Sequence, residues 1–318
     1  MIGQVLNEDT IMKHSIIPHK KLRLIRNNWD LYLLIFPSFV YFIIFCYVPM
    51  YGILMAFENY LPSLGFLKSE WVGLKHFYDF LTAYQFKNIL KNTLTISIYS
   101  FIVGFPLPII CALLLNQMPS LKYKRIIQTI TYAPNFISTI VIVGMLLTFF
   151  SPSVGILSRL LQALGGSTVN HMARAESFSH VYVWSGIWQG LGVSMVIYIA
   201  ALAGVDPQLH EAAMIDGASK FKRILHIDIP SILPTVSVLL IMNIGGIMSV
   251  GFDKVYMMQN TLNMASSEII ATYVYKQGLL KTEYSYSTAV GMFNAVVNCI
   301  LLVMANMITR RLGEASLW

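Results

Sequence analysis

The polar side chains of this sequence fall into two groups whose types and spacing could do chemistry. One is a set of neutral residues inside long apolar stretches: Ser194, Tyr198, Asn243, Asn294 and Asn298. Such groups can bond neighbouring helices, worth about 0.6–2 kcal/mol per contact. They can equally line a path for a hydroxylated solute, with amides matching sugar hydroxyls and an aromatic face stacking on a sugar ring. The other group lies in residues 206–230, Asp206-Pro207-Gln208-Leu209-His210-Glu211-Ala212-Ala213-Met214-Ile215-Asp216-Gly217-Ala218 followed by Ser219-Lys220-Phe221-Lys222-Arg223 and Ile227-Asp228-Ile229-Pro230. Asp206 can cap free N–H groups and Pro207 suits a first helical position, so a helix is predicted to start there. Gly217 can take the left-handed conformation that ends it. At about 1.5 Å per residue such a helix is about 15 Å long, too short to cross a membrane. Leu209, Met214 and Ile215 supply apolar knobs, and Ala212 and Ala213 let a partner backbone approach, which suits a short helix seated in a groove.

Other chemistries are missing. No HExxH, GxSxG or paired acid cluster occurs, and no GxxxxGK[ST] loop for nucleotide phosphates. Cys46, Cys111 and Cys299 lie in apolar runs without CxxC spacing, which argues against a disulfide frame or a zinc site. The seven histidines, at 14, 19, 76, 171, 180, 210 and 226, fall in tails and connections. An enzyme is not indicated, and a carrier driven by ions would want ionisable groups at membrane depth. Uphill transport would draw its energy from another protein.

The elements that position these residues follow from composition. Of 318 residues, 56% are hydrophobic and 12% charged, with mean hydropathy +0.63; a globular chain carries about 25% charged residues. Lipid must cover much of this surface. Six stretches without Asp, Glu, Lys, Arg or His are long enough to span a bilayer: Leu31–Phe57, Asn92–Met118, Ile126–Phe150, Val181–Val205, Ile229–Phe252 and Ser287–Thr309. The fold predicted is an all-α polytopic membrane protein of six transmembrane helices, with prolines 37, 49, 106, 108 and 134 as kinks. Lys13, Lys20, Lys21, Arg23 and Arg26, then Lys122, Lys124 and Arg125, then Lys220, Lys222 and Arg223, then Arg310 and Arg311 all lie on one side of that topology. They are most of the 22 basic residues and, with a net charge of +7, predict both termini on the cytoplasmic side, against anionic headgroups. Nucleic acid is disfavoured, since no basic stripe is interleaved with aromatics.

The organisation expected is a basic interfacial segment over residues 1–29, in which residues 20–26 and Trp29 lie at headgroup level. Residues 30–91 give a first span and its outer connection, 92–309 a core of five spans, and 310–318 a tail. The outer connections, 58–91, 151–180 and 257–286, are long enough to receive a partner or to form a lid, and a surface helix is predicted near Trp71-Val72-Gly73-Leu74. A second short helix is expected from Ser219, with Phe221, Ile224 and Leu225 on one face, before Pro230 and Pro234 redirect the chain into the fifth span. Gly186, Gly190, Gly192 and Gly245-Gly246 read as close-packing positions.

The run Glu211-Ala212-Ala213, then Asp216-Gly217-Ala218, nine residues between Gly217 and Ile227, and Ile229-Pro230 resembles the EAA loop of permease subunits in type I ATP-binding-cassette importers. Further stretches resemble the carbohydrate-uptake branch and its oligosaccharide and polysaccharide-fragment subgroup: Tyr47-Val48-Pro49-Met50-Tyr51-Gly52, Gly104-Phe105-Pro106, Gln128-Thr129-Ile130-Thr131-Tyr132-Ala133-Pro134, Tyr198-Ile199-Ala200-Ala201-Leu202 and Tyr284-Ser285-Tyr286. Where the subgroup often has His after the third-span proline, this chain has Asn135. The resemblance implies a MetI-like fold in a bacterial cell membrane. It implies a sugar-import subunit that couples to a cytosolic ATPase through Glu211, Ala212, Ala213, Met214, Asp216 and Gly217. The implied partners are a second, different permease, two ATPase subunits carrying ATP and Mg, and an extracytoplasmic solute-binding protein. The chain itself would hold no cofactor, and an acidic oligosaccharide is one substrate class compatible with its charge. From the residues alone, a stand-alone carrier or channel, or a membrane scaffold, remains open.

Overall fold

The computed structural model describes residues 28–153, 155–165, 170–311 and 315–317. The basic residues 13–26, with the interfacial segment expected there, lie outside the described residues. The chain divides into two compact units, Met1–Leu54 and Met55–Trp318.

Helix α1 (Trp29–Phe57) begins as a regular helix, widens into a π turn at Ile43–Tyr47 and tightens to a 3-10 helix from Tyr51. Pro49 follows that π turn, and widening four residues before a proline relieves the clash between its ring and the carbonyl there. Trp29–Phe42 has no buried residue, as an apolar helix requires when lipid is its solvent.

In the second unit a two-residue antiparallel pair, β1 (Glu58–Asn59) and β2 (Glu70–Trp71), precedes the surface helix α2 (Lys75–Thr82). Gly73, at φ +61°, makes the turn into α2, so the helix predicted after Trp71 is present. There follow α3 (Phe86–Asn116), α4 (Leu121–Phe136), α5 (Thr139–Phe149), α6 (Ile156–Ala163), α7 (Ala175–Ala203), α8 (Pro207–Ile215) and α9 (Lys220–Gly245). The chain closes with α10 (Phe252–Met258), α11 (Met264–Ser267), α12 (Ile270–Tyr275) and α13 (Tyr284–Arg311). Five helices, α1, α3, α7, α9 and α13, are each long and apolar enough to cross a membrane, and α4 with α5 makes a sixth crossing if the pair is one span.

Two expectations need correction. The third span is not one helix: α4 and α5 meet at 97°. Pro134 cannot donate a backbone hydrogen bond, Ile137 and Ser138 are extended, and Ser138 Oγ caps Val141 N at 3.4 Å. Helix α7 holds the break, because Gln189 donates to the Ile137 carbonyl at 3.0 Å and a Cβ on Gly192 would collide with Thr131 and Tyr132. Nor does a separate second helix follow Gly217. Residues 220–245 run as one helix, with a π turn at Ile224–Asp228 that accommodates Pro230 as the earlier one does Pro49. That helix stops at Gly245, seven residues before the predicted end of the span, where Gly245 packs against Leu302 of α13.

Three buried clusters hold the second unit together. Ile96, Val143, Phe178, Val255 and Ile269 join α3, α5, α7 and α10. Phe80, Ile89, Tyr273 and Val290 join α2, α3, α12 and α13. Ala112, Leu113, Tyr198, Leu202 and Ile232 join α3, α7 and α9. Burying one such side chain is worth about 1.5–3 kcal/mol in water; within lipid the gain comes from packing instead.

Candidate functional site

The segment between α7 and α9 has the local structure its residues dictate. Asp206 Oδ1 accepts from Gln208 N at 2.9 Å, and Pro207 opens α8. At the other end Asp216 N reaches Ala212 O at 3.0 Å, Gly217 N reaches Met214 O at 3.1 Å and Ala218 N reaches Ala213 O at 2.8 Å. This is a Schellman closure around Gly217, whose φ is +75°. Ser219 then caps Lys222 N at 3.4 Å to begin α9. No residue of α8 is buried; Leu209, Met214 and Ile215 stand out at 51%, 52% and 87% exposure. Glu211 and Ala212 are exposed as well, and Ala213 is half-buried. A capped helix with uncovered apolar side chains is a preformed surface for another protein.

One carboxylate ties that surface to the bundle. Asp228, in the π turn of α9, is fully buried. The Gln117 side chain, just past α3, donates to its Oδ2 at 2.8 Å, and His210 Nε2 of α8 stands 3.3 Å from its Oδ1. Reading by sequence missed this joint, since Asp228 counted only as part of a motif and His210 as a loop residue. The available signal was a carboxylate two residues before a proline at the entrance to an apolar run.

Of the five neutral polar candidates, Ser194 and Asn243 come together. Both line a cavity of about 320 Å³ between α3, α7 and the end of α9, with Ser97, Ser100, Tyr182 and Ser249. Asn243 also donates to Leu239 O at 2.8 Å. Tyr198 lies instead in the buried cluster with Leu113 and Ile232. Asn298 accepts from Met248 N and donates to Ser249 Oγ, both at 3.0 Å, pinning the turn after α9 to α13. Asn294 Oδ1 is buried, with no hydrogen-bond partner among the described residues. Gly186 and Gly190 line the cavity rather than a tight helix contact, and nothing stands within 4 Å of a Cβ built on Gly190.

Beside this cavity lies Lys254 of α10, only 8% exposed. Its Nζ donates to Tyr182 O at 3.2 Å and stands 5.1 Å from the centre of the Tyr182 ring. Burial lowers its amine to about 8. A second cavity, of about 980 Å³, opens at the end of the bundle away from α8, between β1, β2, α2 and the α12–α13 turn. Tyr60, Tyr273, Tyr284 and Tyr286 line it with Gln277 and Lys281. The turn contains Thr282 at φ +61°, a strained conformation for a β-branched residue. Among the described residues no group of His, Cys, Asp and Glu could hold a metal ion.

Comparisons with known proteins agree with this architecture. A family model described as binding-protein-dependent transport system inner membrane component matches residues 104–314. Protein LplB of Bacillus subtilis strain 168 is 43% identical over 293 residues, 92% of each chain. The polygalacturonan/rhamnogalacturonan transport system permease protein YteP of the same organism is 41% identical over 297 residues, 93% of this chain and 92% of that one. Among solved structures, a chain of a bacterial alginate ABC transporter, crystallised with an alginate pentasaccharide-bound periplasmic protein, is 36% identical with a TM-score of 0.85. That alignment covers 93% of this chain and 99% of the other.

Proposed function

Because this chain belongs to the family of binding-protein-dependent transport system inner membrane components, the permeases of ATP-binding-cassette importers, we propose that it forms half of a translocation pathway for an acidic oligosaccharide and is driven by a cytosolic ATPase through α8. It is a multi-pass membrane protein and a transport subunit, not itself an enzyme. The observation that carries the coupling role is the exposed, doubly capped α8, which the His210–Asp228 pair ties to the bundle. Glu211, Ala212, Ala213, Met214, Asp216 and Gly217 form its docking face. The partners proposed are a second permease, two ATPase subunits that bind ATP and Mg, and an extracytoplasmic solute-binding protein.

The mechanism follows from the covalent layout. Movement of an ATPase cleft that grips α8 passes through the Gly217 turn into α9, which is one continuous helix from Lys220 to Gly245 and carries Asn243 into the cavity wall. The same movement reaches α3 through Asp228 and Gln117, and α3 supplies Ser97 and Ser100 to that wall. A push at α8 therefore moves two sides of one cavity. The hydroxyl and amide lining suits a sugar, and the substrate class is supported by relatives named for alginate and for polygalacturonan/rhamnogalacturonan.

The test is a complex reconstituted with the partner permease, ATPase and solute-binding protein. Glu211→Ala, an exposed change that leaves both caps intact, should lower ATP hydrolysis stimulated by the loaded binding protein about tenfold or more, with the complex still assembled. Unchanged stimulation would refute the role given to α8.

A further inference from the structure

Lys254 is used by neither the coupling helix nor the cavity lining. It is nine-tenths buried, yet among the described residues no carboxylate lies within ion-pair distance of its Nζ; the carboxylates that do face a basic side chain there are Asp228, at His210, and Glu268, at Lys276. Its contacts are one backbone carbonyl and one aromatic face, both from Tyr182. Burying an ammonium this way is costly unless an anion compensates, and its amine, near 8, is mostly protonated at neutral pH.

The position explains what such a charge can do. Tyr182 and Gly186 are cavity-lining residues of α7, and a Cβ on Gly186 would come within 3.4 Å of Nζ. Glycine there keeps the ammonium close behind the wall. The cavity wall itself offers hydroxyls and an amide from Ser97, Ser100, Ser194, Asn243 and Ser249, and among the described residues no acidic or basic side chain lines it. Lys254, just outside, is thus the cation by which this chain biases the potential of that wall. Snorkelling to headgroups does not account for Lys254, whose ammonium is directed into the protein against α7.

We propose that Lys254 is a specificity-determining residue, whose charge favours sugars bearing carboxylates, such as uronic acids, over neutral sugars during passage through the cavity between α3, α7 and α9. This rests on the reading of the chain as an oligosaccharide permease. It gives the acidic preference a location in the permease that is separate from any selection made by the solute-binding protein. A unit charge about 10 Å from a carboxylate at an effective dielectric of about 20 changes its relative occupancy on the order of tenfold.

The experiment is ATP-dependent uptake into proteoliposomes of the complete complex, comparing an oligogalacturonide with its methyl ester of the same length. Both are supplied with the same saturating solute-binding protein, so that discrimination by that protein cancels between variants. Lys254→Met should lower the acid-to-ester uptake ratio about tenfold by slowing the acid form alone, Lys254→Gln should do the same, and Lys254→Arg should retain the ratio. Equal loss of both sugars, or an unchanged ratio in assembled Lys254→Met and Lys254→Gln complexes, would overturn the proposal and leave the permease reading standing. Absence of ATP-dependent uptake of either sugar by the wild-type complex would overturn both.

Discussion

The joint at Asp228 makes a prediction whose magnitude can be worked from two distances and two burials. A fully buried carboxylate accepts from Gln117 at 2.8 Å and faces His210 at 3.3 Å. Hydrogen bonds to a charged group contribute about 1.5–3 kcal/mol, because removing the donor leaves the charge desolvated and unpaired. Gln117→Leu should therefore destabilise the second unit by about 2 kcal/mol. His210 is one-fifth exposed, so water replaces part of what its imidazole supplies. His210→Ala should cost less, about 1 kcal/mol. Asp228→Asn keeps the shape and an acceptor for Gln117, and removes the charge that makes the other contact matter. The informative quantity is the interaction energy in the cycle His210→Ala by Asp228→Asn, expected at about 1 kcal/mol, against the additivity within about 0.5 kcal/mol seen for independent sites.

Stability is read from thermal unfolding of the purified complex, and coupling from ATP hydrolysis with and without loaded solute-binding protein. The joint links α8 to α9 and α3, so His210→Ala should reduce stimulated hydrolysis and leave basal hydrolysis near wild type. Fully additive stabilities, together with unchanged stimulation, would refute the claim that Asp228 connects the docking helix to the bundle.

Three further outcomes follow from backbone and packing. Gly217→Ala meets no atom within 4 Å but forces a side chain into φ +75°, costing about 1–2 kcal/mol, whereas Gly217→Asn should cost less; thermal unfolding ranks the pair, and equal losses would count against strain at the cap. Gly192→Ala drives a Cβ into Thr131 and Tyr132 at the α4–α5 break and should cost about 1–3 kcal/mol, while Gly190→Ala, two residues earlier in open space, should be neutral or slightly stabilising; assembly yield and unfolding temperature check both. Lys254 has its amine lowered from 10.5 to about 8, so between those values the unfolded chain holds a proton that the folded chain lacks, and wild-type stability rises with pH. Lys254→Met should accordingly be more stable than wild type at pH 7, by up to about 3 kcal/mol, with the advantage fading between pH 8 and 10.5 in thermal unfolding, and a pH-independent difference would contradict it.

How much of this was legible in the sequence depends on how local each determinant is. Asp206, Pro207 and Gly217 act on groups within a few residues, so the start and stop of α8 could be read directly from their types. Runs without charge located the membrane helices for a similar reason, since lipid acts on every residue in a run at once. The break between α4 and α5 hid inside such a run. Pro134 and Ser138 permit a bend there, but Gln189 and Gly192 of α7 hold it, more than 50 residues away in sequence. Pro230 misled in the opposite direction, because a π turn absorbs the missing donor and the helix continues. The neutral polar residues divide by tertiary address alone. Asn243 faces a cavity, Asn298 fastens a turn and Tyr198 fills a core, though each looks alike as a polar group in an apolar stretch. Lys254 lies outside every charge-free run, where a lysine normally reaches solvent, and only the fold turns its ammonium inward against Tyr182. The absence of charge from the spans therefore did not mean that no charge acts on the cavity. It meant that any such charge on this chain had to come from outside those runs, and α10 brings one there.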